Sequence, residues 1–179
     1  MVKLHKPISM QNNDILRRLR YIFSLSDSKM IEIFSHVELS INRAQISNWL
    51  KKEEDAEFTV INESKFSAFL DGLIIEMRGK QEGSSPIQKS KLNNNVILRK
   101  LKIALNYRDD DVIQVLRLGD FNLSKHELSA FFRNPTHQHY RLCKDQVIRN
   151  FLNGLQQKYF ANSQSNSFDT TGDQVQLEK

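Results

Sequence analysis

The chain has 179 residues, 39% of them hydrophobic and 26% charged, with only six glycines and three prolines. It is long enough to bury a core and too poor in chain breakers for a turn-rich β fold, which favours long helices. One cysteine, Cys143, excludes an internal disulfide and fits a reducing cytoplasm, and the sequence shows neither a signal peptide nor the roughly 18 consecutive apolar residues of a membrane span.

Taken from the N-terminus, residues 1–10 are expected to be flexible. The first helix is expected over Asn13 to Leu25, because Ile15, Leu16, Leu19, Ile22 and Phe23 recur at steps of three and four. Asp27 or Ser28 would cap the second helix, which carries Met30, Ile31, Ile33, Phe34 and Val37. Asn42 would cap the third, with Gln45 completing a capping box and Ile46, Trp49 and Leu50 on its apolar face. The acidic run from Glu53 to Glu57 breaks that helix. A fourth begins near Asn62 and runs through Phe66, Phe69, Leu70 and Leu73 to about Met77.

The same plan then repeats. NDILRRLRYIF, starting at Asn13, matches NVILRKLKIAL, starting at Asn95, and the offset of 82 also carries Asp27 onto Asp109, Ser47 onto Ser129 and FLDGL (69–73) onto FLNGL (151–155). No gap is needed over about 61 residues, so the chain is a tandem duplication. The fold expected is all-α: two homologous units of about four helices each, with helix-turn-helix-like middle helices. Unit one spans residues 11–78, a linker 79–92 and unit two 93–160, and the polar tail 161–179 is expected to be disordered. In unit two, Asp109 to Asp111 sit at a helix start, Ser124 with Glu127 forms a capping box, and Asn134-Pro135 ends the third helix. Gly72 and Gly154 occupy matching helical positions, as close helix packing would require. A unit of about 60 residues is marginal alone, so pseudo-two-fold packing of one copy on the other is expected, with two separate beads on a short linker as the alternative.

NDILRRLRYIF, WLKKEED, FLDGLIIEMRGK, NNNVILRKLKIAL and CKDQVIRNFLNGL occur in this order. In these strings the chain resembles the YehS-like family of bacterial proteins, the domain of unknown function 1456, over about Gln11 to Leu155. The resemblance implies two such repeats and carries no activity onto individual residues. Where the family often has a cysteine before the fourth helix of both copies, this chain has Cys143 and Ile61.

The net charge of +5 and pI near 9.3 invite a nucleic-acid reading. The charge is uneven: Asn13–Leu73 holds 8 basic and 10 acidic residues, Asn95–Leu155 holds 10 basic and 6 acidic. Met30 to Lys52 has the order helix, turn, capped helix, as in a helix-turn-helix whose second helix enters the DNA major groove, although the turn is long for that motif. Its outward residues would be Arg43, Ser47, Asn48 and Lys51, matched in copy two by Lys125, Ser129, Ala130 and Arg133. Arg, Lys, Asn and Ser are types that contact phosphates and base edges. Arg43, Asn48, Lys51, Lys125, Ser129 and Arg133 are therefore the candidate residues for DNA or RNA. This reading expects one basic surface containing Arg99, Lys100, Lys102, Lys125, Arg133, Arg141 and Arg149. The alternative, a protein-docking adaptor without nucleic-acid binding, expects an exposed apolar patch. No catalytic motif occurs, so the chain is expected not to be an enzyme and to need no cofactor. His137, His139 and Cys143 are the one cluster of metal-ligand types, and a fourth zinc ligand is not evident, so no metal is expected.

Overall fold

The computed structural model describes residues 10–80 and 91–168, with side chains to residue 161. Within them lie eight α-helices and no strand: α1 Asn12–Ile22, α2 Asp27–Ser35, α3 Arg43–Leu50, α4 Glu63–Arg78, α5 Asn94–Ala104, α6 Asp109–Leu118, α7 Lys125–Phe132 and α8 Asp145–Phe168. The expected two sets of four are present. Ser26, rather than Asp27 or Ser28, caps α2, its side chain accepting from the Lys29 N–H. Asn42 with Gln45 and Ser124 with Glu127 form the expected capping boxes. The seven-residue connection from α2 to α3 is longer than the three or four residues of a helix-turn-helix. At the C-terminus α8 continues to Phe168, eight residues into the expected disordered tail. No Gly or Pro interrupts that stretch. The expected flexibility of residues 1–9, 81–90 and 169–179 lies outside the described residues.

Each copy is pinned from its first helix by a buried asparagine. The Asn13 side-chain amide donates to the carbonyls of Trp49 and Thr59, both at 2.9 Å, while its oxygen accepts from the Ile61 N–H at 3.1 Å. Asn95 repeats this set on Phe131, Arg141 and Cys143 at 2.9, 2.7 and 2.9 Å. The segment after the third helix is irregular, and its backbone polar groups would otherwise be buried without partners. The copies also share their strained turns: Ser24 and Asn106 have φ of 51° and 54°, Glu38 and Asp120 both 59°.

The recurring helical glycines mark a close crossing. A Cβ at Gly72 would overlap the carbonyl of Ile33 on α2, and one at Gly154 would overlap that of Val115 on α6. Trp49 is 4% exposed and joins the core, as its apolar face predicts.

The two units form one continuous core, and they meet reciprocally. The first helix of copy one, α1, packs on α8, while the first helix of copy two, α5, packs on α4. This is the exchange that a pseudo-two-fold relation demands. The two seams differ chemically. Lys100 on α5 is 3% exposed and bonds Asp71 at 2.7 Å and the Ser67 hydroxyl at 2.7 Å, both on α4. At the matching place Arg18 on α1 donates to the neutral Asn153 on α8, and burial lowers the Arg18 pKa.

A candidate anion-binding cleft between the copies

The first helix of copy two, the end of α7 and the last turn of α4 surround an open cleft of about 570 Å³. It is lined by Arg78, Arg99, Lys102 and Arg133, with Ile103, Tyr107, Phe132, Ser129 and one acid, Asp109. Arg99 and Lys102 are three apart on α5, so both point to the same side of the helix. Arg78 arrives from copy one only because α4 packs on α5.

Fixed groups orient these cations. Arg99 donates to the Phe132 carbonyl at 2.6 Å and its guanidinium lies 5.9 Å from the Phe132 ring centroid. The Lys102 ammonium sits 4.9 Å from the same ring and also pairs with Asp109. Arg78 donates to the Asn106 side chain at 2.7 Å and to the Ile103 carbonyl at 3.3 Å. Arg133 reaches the Ser129 hydroxyl and the His139 carbonyl, both at 3.4 Å. Among the described residues, Arg78, Arg99 and Arg133 make no ion pair with a carboxylate. Four cations against one carboxylate make the cleft attractive to anions, and neutral partners hold all three guanidinium groups without cancelling their charge.

The residues singled out from sequence divide sharply. Ser129 and Arg133 line the cleft. Lys125 is instead paired with Asp110 at 2.8 Å, and that carboxylate raises its pKa. Lys51 is paired with Glu57 and lies 3.8 Å from Asp55. Arg43 is exposed at the start of α3 and donates to the Ser28 hydroxyl at 3.3 Å. Asn48 is half-buried, and its carbonyl accepts from the Thr59 N–H at 3.2 Å. The single basic surface expected for copy two is not formed, because Lys100 is buried in the α4–α5 seam; Lys125 is exposed and paired with Asp110. Arg141 lines an adjoining hollow with His126, Glu127 and Arg133, the last shared with the cleft. Arg78 was missed altogether. Its only sequence signal was a basic residue in the last turn of a helix, which the macrodipole alone explains.

Two clusters of metal-ligand types are accounted for by packing and pairing. Cys143 is 5% exposed, and burial pushes its thiol up to about 12. It fills the place of the fully buried Ile61 in copy one. His137 and His139 bond locally, the His139 N–H donating to His137 Nδ1 at 3.0 Å. On copy one, Glu32, His36 and Glu76 bring ligand-type atoms within 4.8 Å of one another. The Lys29 ammonium already lies among them, 2.8 Å from Glu32 and 2.9 Å from Glu76. His36 and Lys29 together hold the Glu76 carboxyl below its ordinary value.

No helix among the described residues is long and apolar enough to cross a membrane. No solved structure matches the chain. The chain is 37% identical over 147 residues to the "Uncharacterized protein YehS" of Escherichia coli (strain K12), covering 82% of this chain and 94% of that relative. The family model described as "Protein of unknown function (DUF1456)" matches twice, at residues 12–79 and 94–159, the two halves that the Asn13 and Asn95 nodes define. The chain belongs to the DUF1456 family.

Proposed function

We propose that this protein is a non-enzymatic nucleic-acid-binding protein of the cytoplasm whose contact surface is the cleft between α4, α5 and α7. One observation carries the reading: Arg78, Arg99, Lys102 and Arg133 converge on a single open concavity, and three of them have no carboxylate partner among the described residues. Phosphate oxygens accept the charge-assisted hydrogen bonds that such groups offer. Contacts to phosphate carry no sequence information, so affinity for the backbone, without strong sequence preference, is the expected behaviour. The outward face of α3 and α7 is the weaker alternative within this reading, because Lys51 and Lys125 are already paired.

The test is fluorescence anisotropy of labelled DNA and RNA over a salt series. Wild-type protein is expected to bind at low salt and to weaken steeply as salt rises. Arg78→Glu with Arg99→Glu should abolish binding, and Lys125→Glu should leave it nearly unchanged. If Lys125→Glu is the damaging change, the third helix of copy two makes the contact and the cleft does not. If nothing binds at about 50 mM salt, where phosphate contacts are strongest, the nucleic-acid reading fails.

A further inference from the structure

The duplication built this cleft twice, with different chemistry in each. Its counterpart is a hollow of about 460 Å³ lined by Arg17, Arg20, Tyr21, Leu25, Leu50 and Phe160. Arg17 and Arg20 stand where copy two has Arg99 and Lys102, and Leu50 where it has Phe132. Tyr21 replaces Ile103. Phe160, reaching over from α8, replaces Arg78, which reaches over from α4. The cationic corner of one cleft is thus an aromatic corner in the other.

That aromatic corner is bare. Tyr21 is 60% and Phe160 42% exposed, with ring centroids 5.3 Å apart and planes at 50°. Behind them Phe23 and Tyr159 meet edge-on at 5.1 Å and anchor the two helices. A second hollow, lined also by Lys29, Leu73, Glu76 and Met77, shares both rings with the first, so the rings form a ridge that borders two hollows. Arg17 and Arg20 beside it are 27% and 38% exposed. Both are ion-paired, Arg17 with Asp14 and Arg20 with Asp27 at 2.9 Å, and Arg17 also donates to the Lys51 carbonyl at 2.6 Å.

We propose that the Tyr21–Phe160 ridge is a base-stacking subsite, and that the polymer bound by this protein is single-stranded. The inference rests on the nucleic-acid reading of the cationic cleft and adds to it the form of the ligand. Exposed rings match an unpaired base, since every base offers a flat π-face. A duplex keeps its bases stacked on one another and cannot present such a face. The equivalence to the cationic cleft favours this occupant over an apolar protein segment.

The experiment uses the full chain and an oligonucleotide of about 12 residues carrying 2-aminopurine, alone and as a duplex, a length within the usual range for one single-strand site. Wild-type protein should bind the single strand more tightly and change the 2-aminopurine fluorescence as a base stacks. Tyr21→Ala with Phe160→Ala should weaken single-strand binding about tenfold and remove the fluorescence change, with duplex binding and the salt slope kept. Tyr21→Phe with Phe160→Tyr should restore both. Circular dichroism melting checks that these surface changes leave the fold intact. The proposal is overturned if the alanine variant binds the single strand as wild-type does, or loses single strand and duplex alike. Because Arg99→Glu should weaken both ligands, the two readings fail separately. Loss in that variant with no effect at the ridge keeps the cleft and removes the subsite. Loss at the ridge with no effect of Arg99→Glu does the reverse. No binding of either ligand at about 50 mM salt removes both and leaves the ridge as a face for a protein partner.

Discussion

Along α1 and α5 the two copies can be compared residue by residue. At Asn13 and Asn95 they agree: each asparagine holds three backbone groups, at distances that differ by no more than 0.2 Å between the copies. One turn on, Arg17 and Arg99 both reach back to a carbonyl at the end of the third helix, at 2.6 Å. Two turns on, the agreement ends, with Tyr21 against Phe160 in one copy and Ile103 against Arg78 in the other. The inward side of the helix keeps what an irregular segment needs for its hydrogen bonds. The solvent side has no such demand and has diverged. Function is therefore to be sought where the copies differ, and stability where they match.

The asparagine nodes are the place to break the match. Asn13→Ala or Asn95→Ala leaves one buried N–H and two carbonyls without a partner and is expected to cost about 3–4 kcal/mol each in urea unfolding. A loss under about 1 kcal/mol in either copy would mean that the segment finds other partners. Next come the seams. Asp71→Ala leaves the Lys100 ammonium buried with only Ser67 and should cost about 2–3 kcal/mol, somewhat less than a fully buried pair because Asp71 is 33% exposed. Asn153→Ala at the matching position removes a neutral partner of Arg18 and should cost less than about 1 kcal/mol. Equal costs would show that the two seams are energetically alike despite their chemistry.

Smaller effects sharpen the contrast. Glu76 binds His36 and Lys29 in copy one, while copy two has Lys158 in its place. Because its folded pKa is depressed, its contribution is complete above the ordinary carboxyl value and is lost as pH falls through the lowered one. Glu76→Gln should thus remove about 0.5–1 kcal/mol at neutral pH and flatten the acid limb of the stability curve. The smallest change is expected of Cys143→Ile, within about 1 kcal/mol near pH 7, since Ile61 already serves in copy one. Burial raises the folded thiol to about 12, so its contribution is present below the ordinary value of 9.0 and declines as pH rises toward 12. Above about pH 9 the Cys143→Ile variant should lose stability less steeply than wild type. A thiol reagent that labels the native protein rapidly at pH 8 would contradict the burial of Cys143.

The duplication, the eight helices and most of the core could be read from the sequence, because apolar spacing and the 82-residue offset are properties of the chain alone. Asn13 and Asn95 carried no signal that they are buried, since their partners lie more than 30 residues away and are backbone atoms. The candidate site was legible only in part. Ser129 and Arg133 are on the right helix, but an outward position on α7 did not show that Lys125 is paired with Asp110. Lys100, counted as surface charge, faces α4 because the side of α5 that meets the other copy is set by packing between units. Arg78 joins the cleft for the same reason, and Phe160 its counterpart.

The reciprocal packing of α1 on α8 and α5 on α4 gives this chain the layout of a two-fold dimer whose subunits have been joined end to end. Two identical subunits related by such an axis must present identical clefts, and any change to one is made in both. Joining them lifts that restriction. An arginine could arise at position 78 while position 160 holds a phenylalanine, so one molecule offers a charged cleft and an aromatic one in a fixed orientation. A strand that engages both would be held in one direction, which a symmetric dimer cannot impose.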